Sequence, residues 1–459
     1  MVALSNTLLE KTEEIKDEPN AVRDHFERTP PMSTFTLGLY LESFEDLNNK
    51  LDTVFRKLES IWQVSLPLKK LDLVALPTYT GVKPSDNWGL IIFKESDLNN
   101  KGYLQLAQEI SYQWLGAFTT PAWWSDAHLN KALVGYIAAE TAFQINHGSE
   151  MEGKWPLTVL YSLYYEFSKR YPHSRITGMK QETTCTKLEL LFRMFNYTIG
   201  GNTFKKAIKG FLESRKFKTF TGDDIWSALS AAAVEDKTMP ADVDTKTVAK
   251  SWIDKDRLPV VNIERNYERN YLVATQKVYL RERPHDVPDA ENMSWWVPLV
   301  IIKEDNLDFT QTTPEVWTKE KELKIRNMPG KEQFIIVNPE EIAPFPVNYD
   351  THNWYLISQY LQSSKRTSIP ELTRAKLQHD AWNLAFAGEL SFATALNMTL
   401  FLKEERSHLV WDSVFTMIDH KEEKEDEMSW KTNLRTLTKN FLCQSGYKPC
   451  IKEAQEQYA

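Results

Sequence analysis

Apolar residues at Phe44, Leu47, Leu51, Val54, Phe55, Leu58 and Ile61 recur at the three- and four-residue spacing of one helix face, so 44–61 predicts an amphipathic helix. The segment LKKLDLVALPTYT then alternates apolar and polar positions as a strand does, and the turn-rich GVKPSDNWG leads into a second strand, GLIIFKES. Between 104 and 234 the period returns to that of helices, in LQLAQEIS, ALVGYIAAETAFQIN, PLTVLYSLYYEFSKRY, TKLELLFRMFNYTIG, NTFKKAIKGFLESRKF and DDIWSALSAAA. Thr221 or Asp223 is placed to cap the last of these. SWIDKDRLPVVNIERNYERNYLVATQKVYL and MSWWVPLVIIKED predict short strands, and Pro344 and Pro346 in APFPVNYDTHNWYLI weaken strand pairing there. KEEKEDEMSW forms a charged linker. Ahead of all this, Met1 to Pro31 is polar, and the weak helical periodicity of Thr7 to Glu18 suits a tail or an added helix. The succession predicts an α+β multidomain chain.

Composition narrows the partners more than the fold. A chain of 459 residues with 42% hydrophobic and 26% charged content can bury several cores. Its formal net charge of −8 argues against nucleic acid or an anionic membrane as a partner. No apolar run is long enough to span a bilayer, and the first residues lack a basic start followed by an apolar core, so neither a transmembrane segment nor a leader is expected. Three cysteines are too few for a disulfide scaffold. N-x-S/T sequons at Asn196, Asn292 and Asn397 are no more than chance would supply.

The chemistry concentrates in Leu104 to Glu140. On a helix, residues i and i+4 share a face, so two histidines at that spacing with a glutamate after the first can hold zinc and activate its water. Here the five positions read Gln108-Glu109-Ile110-Ser111-Tyr112. The run QEISYQWLGAFTTPAWWSDAHLNKALVGY nevertheless resembles the aminopeptidase N family of zinc metallopeptidases (gluzincins), whose pattern is HExxHQWfGnlvTPxWWxDlWLNEGfAxY. Gln113, Trp114, Gly116, Thr120, Pro121, Trp123, Trp124, Asp126, Leu129 and Asn130 all fall on it.

That resemblance implies a tail and remnant of an N-terminal β-domain at 1–34, a thermolysin-like, mainly helical domain with a small β-sheet at 35–240, a β-sandwich at 241–350 and a partial α-helical domain at 351–459. It also implies site residues. Gln108, Tyr112 and Lys131 stand at the three zinc-ligand positions, and Glu109 at the general base. Asp86 and Asn87 correspond to the end of the substrate-binding GAMEN loop, Asp86 to the glutamate that binds the free α-amine; a loop that simply packs is the alternative. In TTCTKLELLFRMF, similar to the family's SYxKGAxxLxML, Cys185 stands where a tyrosine stabilises the oxyanion, Lys187 keeps its place, and Leu188 and Glu189 replace a small Gly-Ala pair. Cys443 and Cys450 correspond to a disulfide pair of secreted members, with reduced cysteines as the alternative.

The nine histidines are never closer than twelve residues apart, so no helix face can supply a local pair, and His128, beside the motif, replaces a packing tryptophan. No cofactor is therefore expected, although the family carries zinc. An ion pair between Lys131 and Glu109 is expected to fill the metal's place. The reading is a pseudo-metallopeptidase that binds a peptide or protein ligand, with a homodimer as a further partner expectation. The alternatives are a zinc-dependent aminopeptidase and a scaffold acting through its outer surfaces. The family resemblance implies an extracellular or membrane-associated location, and the lack of a readable leader or anchor a cytoplasmic one.

Overall fold

The computed structural model describes residues 2–16, 21–32, 39–42, 48–76, 87–94, 103–145, 180–281, 292–407, 409–411 and 413–414. The chain divides into two compact units, one of Met1–Trp155 with Thr177–Asp254, the other of Pro156–Ile176 with Lys255–Ala459. It is a mixed α/β protein, as the α+β expectation requires, with helices and several small sheets in the described residues.

The first unit opens with strand β1 (Val2–Ser5) and the hairpin β2 (Leu9–Glu14) and β3 (Val22–Phe26). The tail or added helix considered for Thr7 to Glu18 is therefore corrected within it: Leu9–Glu14 is a strand. Polar cross-strand contacts favour this form: Thr12 donates to Asp24 at 2.5 Å, and Glu13 meets His25 Nε2 at 3.1 Å. β4 (Leu39–Glu42) pairs antiparallel with β1. Helix α1 (Asn48–Trp62) follows, then β5 (Asp72–Leu76) and β6 (Leu90–Lys94), which pair in parallel from Asp72 opposite Leu90 to Leu76 opposite Lys94.

Helix α2 (Tyr103–Ser111) leads through a tight turn to β7 (Thr120–Pro121) and helix α3 (Ala127–Ile145). The unit continues with α4 (Lys180–Thr198), α5 (Gly201–Ser214), β8 (Thr219–Phe220, paired with β7), α6 (Gly222–Asp236) and α7 (Thr245–Ile253). Thr221 is the residue that caps α6, in a reciprocal capping box with Asp224. Helix α3 packs against both α2 and α4, so one helix carries both faces of the candidate site. Tryptophans supply the core. Trp62, Trp88, Trp114 and Trp252 are fully buried, Trp62 stacks on Trp114 at 6.2 Å, and Phe192 stacks on Trp226 at 5.4 Å.

In the second unit β9 (Pro259–Asn266) and β10 (Tyr271–Val278) form an antiparallel hairpin. β11 (Val297–Leu299) pairs with β13 (Val316–Thr318), and β12 (Ile301–Lys303) with β15 (Ile335–Val337). β14 (Glu322–Arg326) and β16 (Val347–Tyr349) complete a four-stranded sheet of order β14-β10-β9-β16. Pro346 lies just outside β16 and still contributes its carbonyl, which accepts from Val261 N at 3.1 Å, so the proline limits the strand's start without ending the pairing. Asp350 then caps α8 (Thr351–Gln362), followed by α9 (Glu371–Phe386) and α10 (Phe392–Met398).

Helix α9 is buried along nearly its whole length in spite of its charges, because those charges are paired. Arg374 meets Glu405 at 2.8 Å with both side chains 5% exposed, and Lys376 binds Asp380 one turn along. Removing one member strands the other in the interior. Arg374→Ala is accordingly expected to cost about 3–5 kcal/mol of stability, while Arg374→Met combined with Glu405→Gln recovers most of it. Urea unfolding followed by tryptophan fluorescence reads both; a loss for Arg374→Ala no larger than the ~1 kcal/mol of a surface pair would contradict this.

Candidate functional site

The site begins at the end of α2. Gln108 and Glu109 lie in the last turn of that helix and Tyr112 immediately follows it, so Gln108 and Tyr112 retain the one-turn spacing. The chain then reverses within a few residues. Gln113 N donates to Ile110 O at 3.0 Å, Leu115 N to Ser111 O at 3.1 Å, and Ala117 N to Tyr112 O at 3.3 Å. Gly116 sits at φ 142°, where an added Cβ would lie 3.0 Å from the Tyr112 carbonyl, so a side chain would press on the residue that the turn must hold.

Gln113 and Trp114 anchor this corner. The fully buried Gln113 amide accepts from Gly89 N at 2.7 Å and donates to Asn87 O at 3.2 Å, tying the loop that carries Asn87 to the end of α2. Gly89 has φ 81° and approaches the Asn6 carbonyl so closely that a Cβ would lie 2.5 Å from it, so only glycine fits. Trp114 Nε1 donates to Val64 O at 2.6 Å, fixing the other side of the corner to the chain after α1. Of the two expected substrate-loop residues, Asn87 is thus held by its backbone, and Asp86 lies outside the described residues. Cys443 and Cys450 also lie outside them.

Helix α3 brings in Lys131, and α4 brings in Cys185 and Glu189. Asn130, buried beside Lys131, donates to Leu115 O at 3.2 Å and so keys α3 to the corner. Lys187 is buried and donates to Trp252 O at 3.1 Å, placing its ammonium at the C-terminal end of α7, where the helix dipole favours a cation. Cys185, at the expected oxyanion position, is buried.

The electrostatics tie these residues into one cluster. Burial pushes the Tyr112 hydroxyl well above its ordinary pKa, the nearby Glu109 adds to this, a hydrogen bond with Gln108 opposes it, and Cys185 and Glu189 raise it further. Burial likewise pushes the Glu189 carboxyl up to about 8, with the Lys131 charge pulling the other way.

The ion pair expected between Lys131 and Glu109 is not formed. Lys131 is exposed while Glu109 is buried, and the carboxyl that feels the Lys131 charge is Glu189. The difference in burial separates the two groups. Glu189 occupies a slot against Gly135 of α3, where an added Cβ would lie 2.7 Å from Glu189 Oε1, so the glycine makes room for a carboxyl between α3 and α4. Sequence reasoning registered Glu189 only as a disturbance of helix packing. The available signal was a charged residue in a small-residue position four residues after Cys185.

The residues at the expected ligand positions do not fit a zinc ion. Tyr112 keeps its proton, Lys131 carries a positive charge, and Gln108 is a neutral amide, whereas zinc is held by thiolate, imidazole and carboxylate. Among the described residues no group of three or more His, Cys, Asp or Glu side chains could hold a metal.

The raised Glu189 pKa sets a pH dependence. The native state keeps a proton that the unfolded chain releases at ordinary carboxylate pH, so stability falls as pH rises from that range to about 8 and then levels off. Glu189→Gln removes this loss. Its thermal midpoint relative to the parent is expected to gain steadily up to about pH 8, where the native carboxyl titrates, and to gain no more above it. Melts across that range test this, and a difference independent of pH would assign Glu189 no such role.

The comparisons with known proteins agree with this frame. The Peptidase family M1 domain matches residues 47–252, and the ERAP1-like C-terminal domain matches residues 334–422. Similar proteins include Aminopeptidase N of Mus musculus, 23% identical over 473 residues, which cover 92% of this chain and 48% of that protein. Glutamyl aminopeptidase of Homo sapiens is 27% identical over 469 residues, covering 91% and 47%, and Aminopeptidase Q of Homo sapiens is 26% identical over 391 residues, covering 79% and 38%. The chain spans about half the length of the first two relatives and less of the third. No helix of the described residues is long and apolar enough to cross a membrane. With the two domain matches, these relatives and the corner built by Gln113 and Trp114 in agreement, the chain belongs to the aminopeptidase N family of M1 peptidases.

Proposed function

We propose that this chain is a catalytically inactive member of its family, a pseudo-metallopeptidase whose cleft binds a peptide or protein ligand without cleaving it. One observation carries the reading: the three ligand positions hold an amide, a phenol that keeps its proton and an ammonium, none of them an anionic or imidazole donor. Glu109 keeps the general-base position, yet a carboxylate without an activated water has no proton to remove. The buried thiol of Cys185 is too short and too weak a donor to stabilise an oxyanion. What the site retains is the means to shape a cleft, namely the corner that holds Asn87 to α2 and the packing of α2, α3 and α4. The division into a β-domain remnant at 1–34, a thermolysin-like domain at 35–240, a β-sandwich at 241–350 and a helical domain at 351–459 belongs to the same proposal.

The second reading, a working aminopeptidase, is favoured by the relatives, all three of which are aminopeptidases by name. Elemental analysis of the purified chain together with hydrolysis of aminoacyl arylamides separates the two. Substoichiometric zinc and no turnover are expected; stoichiometric zinc with turnover would overturn the first reading. The triple change Gln108→His, Tyr112→His and Lys131→Glu is expected to bring in one zinc per chain without restoring turnover, since Cys185 remains. Failure of the triple variant to take up zinc while still folded would mean that α2 and α3 no longer present one coordination sphere.

A further inference from the structure

Helix α1 carries more apolar surface than its neighbours cover. Val54, Leu58, Ile61 and Trp62 are buried, whereas Leu51 and Phe55, one turn apart on the same helix, are only half-buried. The chain after α1 brings three more half-buried leucines against them, Leu66, Leu68 and Leu71. These five side chains line a cavity of about 440 Å³. That volume falls within the roughly 300–1,000 Å³ of small-molecule sites, which are mostly apolar and largely formed before the ligand arrives.

The walls are held by the same corner that holds α2. Phe55 packs on Trp114 with ring centroids 5.5 Å apart, and Trp114 Nε1 donates to Val64 O at 2.6 Å, two residues before Leu66. Three charged residues also line the cavity, and each already has a partner. Asp52 accepts from Arg56 Nε at 2.8 Å, Lys69 reaches Glu27 at 2.7 Å, and Lys70 binds Asp72. The three cations and three carboxylates cancel, so a charged group entering here would lose water and find no unpaired counter-charge among them.

We propose that this cavity binds an uncharged, apolar small molecule, held by Leu51 and Phe55 on one side and by Leu66, Leu68 and Leu71 on the other. None of these residues belongs to the former ligand positions, so the site is independent of the cleft and of what the cleft binds.

The test titrates the full chain at pH 7 with N-phenyl-1-naphthylamine, an uncharged probe that fluoresces in apolar surroundings. One saturable site is expected, with quenching of tryptophan emission because Trp114 packs against the cavity wall. Leu51→Trp, which fills the cavity from a half-buried helix position, is expected to weaken the probe at least tenfold, equivalent to about 1.4 kcal/mol. Leu66→Ser, outside any helix or strand, is expected to weaken it from the opposite wall, and circular dichroism confirms that both variants remain folded. 1-Anilinonaphthalene-8-sulfonate, with similar rings and a negative charge, is expected to bind at least tenfold more weakly than the neutral probe. Absence of a saturable site, or binding that survives both substitutions, overturns the proposal. Tighter binding of the sulfonate overturns it in favour of an anionic ligand. A dimer in sedimentation that Leu51→Trp dissociates assigns the cavity to a second copy of the chain and overturns it as well.

Discussion

The corner made by Gln113 and Trp114 is the constraint on which the first unit depends. A buried glutamine side chain can use its amide on both sides, and here it accepts from Gly89 and donates to Asn87, so two stretches far apart in sequence are held in one register. Trp114 adds stacking on Trp62 and a hydrogen bond to Val64, which fixes the end of α2 to α1. None of these contacts involves the positions where a metal would be held. A site that relied on zinc for its folding free energy would lose its geometry with its ligands. This one keeps α2, α3 and α4 packed because the aromatic and amide contacts at the corner hold them. The frame can therefore persist while the chemistry in front of it changes.

What changed in front of the corner is the distribution of charge. A cation placed on α3 and a carboxyl placed on α4 sit near each other, but burial keeps the carboxyl protonated and the ammonium stays in solvent. Desolvation outweighs attraction because Glu189 lies in the slot beside Gly135, whereas Lys131 remains in high dielectric, where its pull is weak. The second unit makes the opposite choice with the same physics. Arg374 and Glu405 are both buried and in direct contact, so the pair stays together.

Much of the secondary structure was legible from periodicity. The helix face from Leu51 to Ile61, the strands around Leu73 and Ile91 and the helices of 180–236 follow from spacing, because each repeats its apolar positions at the period of the element it forms. Ser251 to Ile253, read as the start of a strand, instead close helix α7 (Thr245–Ile253). The family frame was legible too, since the run from Gln113 to Asn130 is fixed by local turn geometry and bulky aromatics. The hairpin of Leu9–Glu14 and Val22–Phe26 was not. Its first strand is exposed throughout and both strands are mostly polar, so no hydrophobic alternation marks them, and the antiparallel pairing from Leu9 opposite Phe26 to Glu14 opposite Val22 defines them.

The sequence by itself determined which donors occupy the ligand positions, because residue type fixes what a side chain can coordinate. It determined the helices for the same reason that any amphipathic run does, through local spacing. Only the tertiary structure decided which charges meet. Along the chain Glu109 was the expected partner of Lys131; in the fold Glu109 is buried, Lys131 is exposed, and the carboxyl lodged against Gly135 between α3 and α4 is that of Glu189. The proton on Glu189 follows from the same packing, since a pKa depends on how much water and which charges surround the group, and neither can be read from residue order.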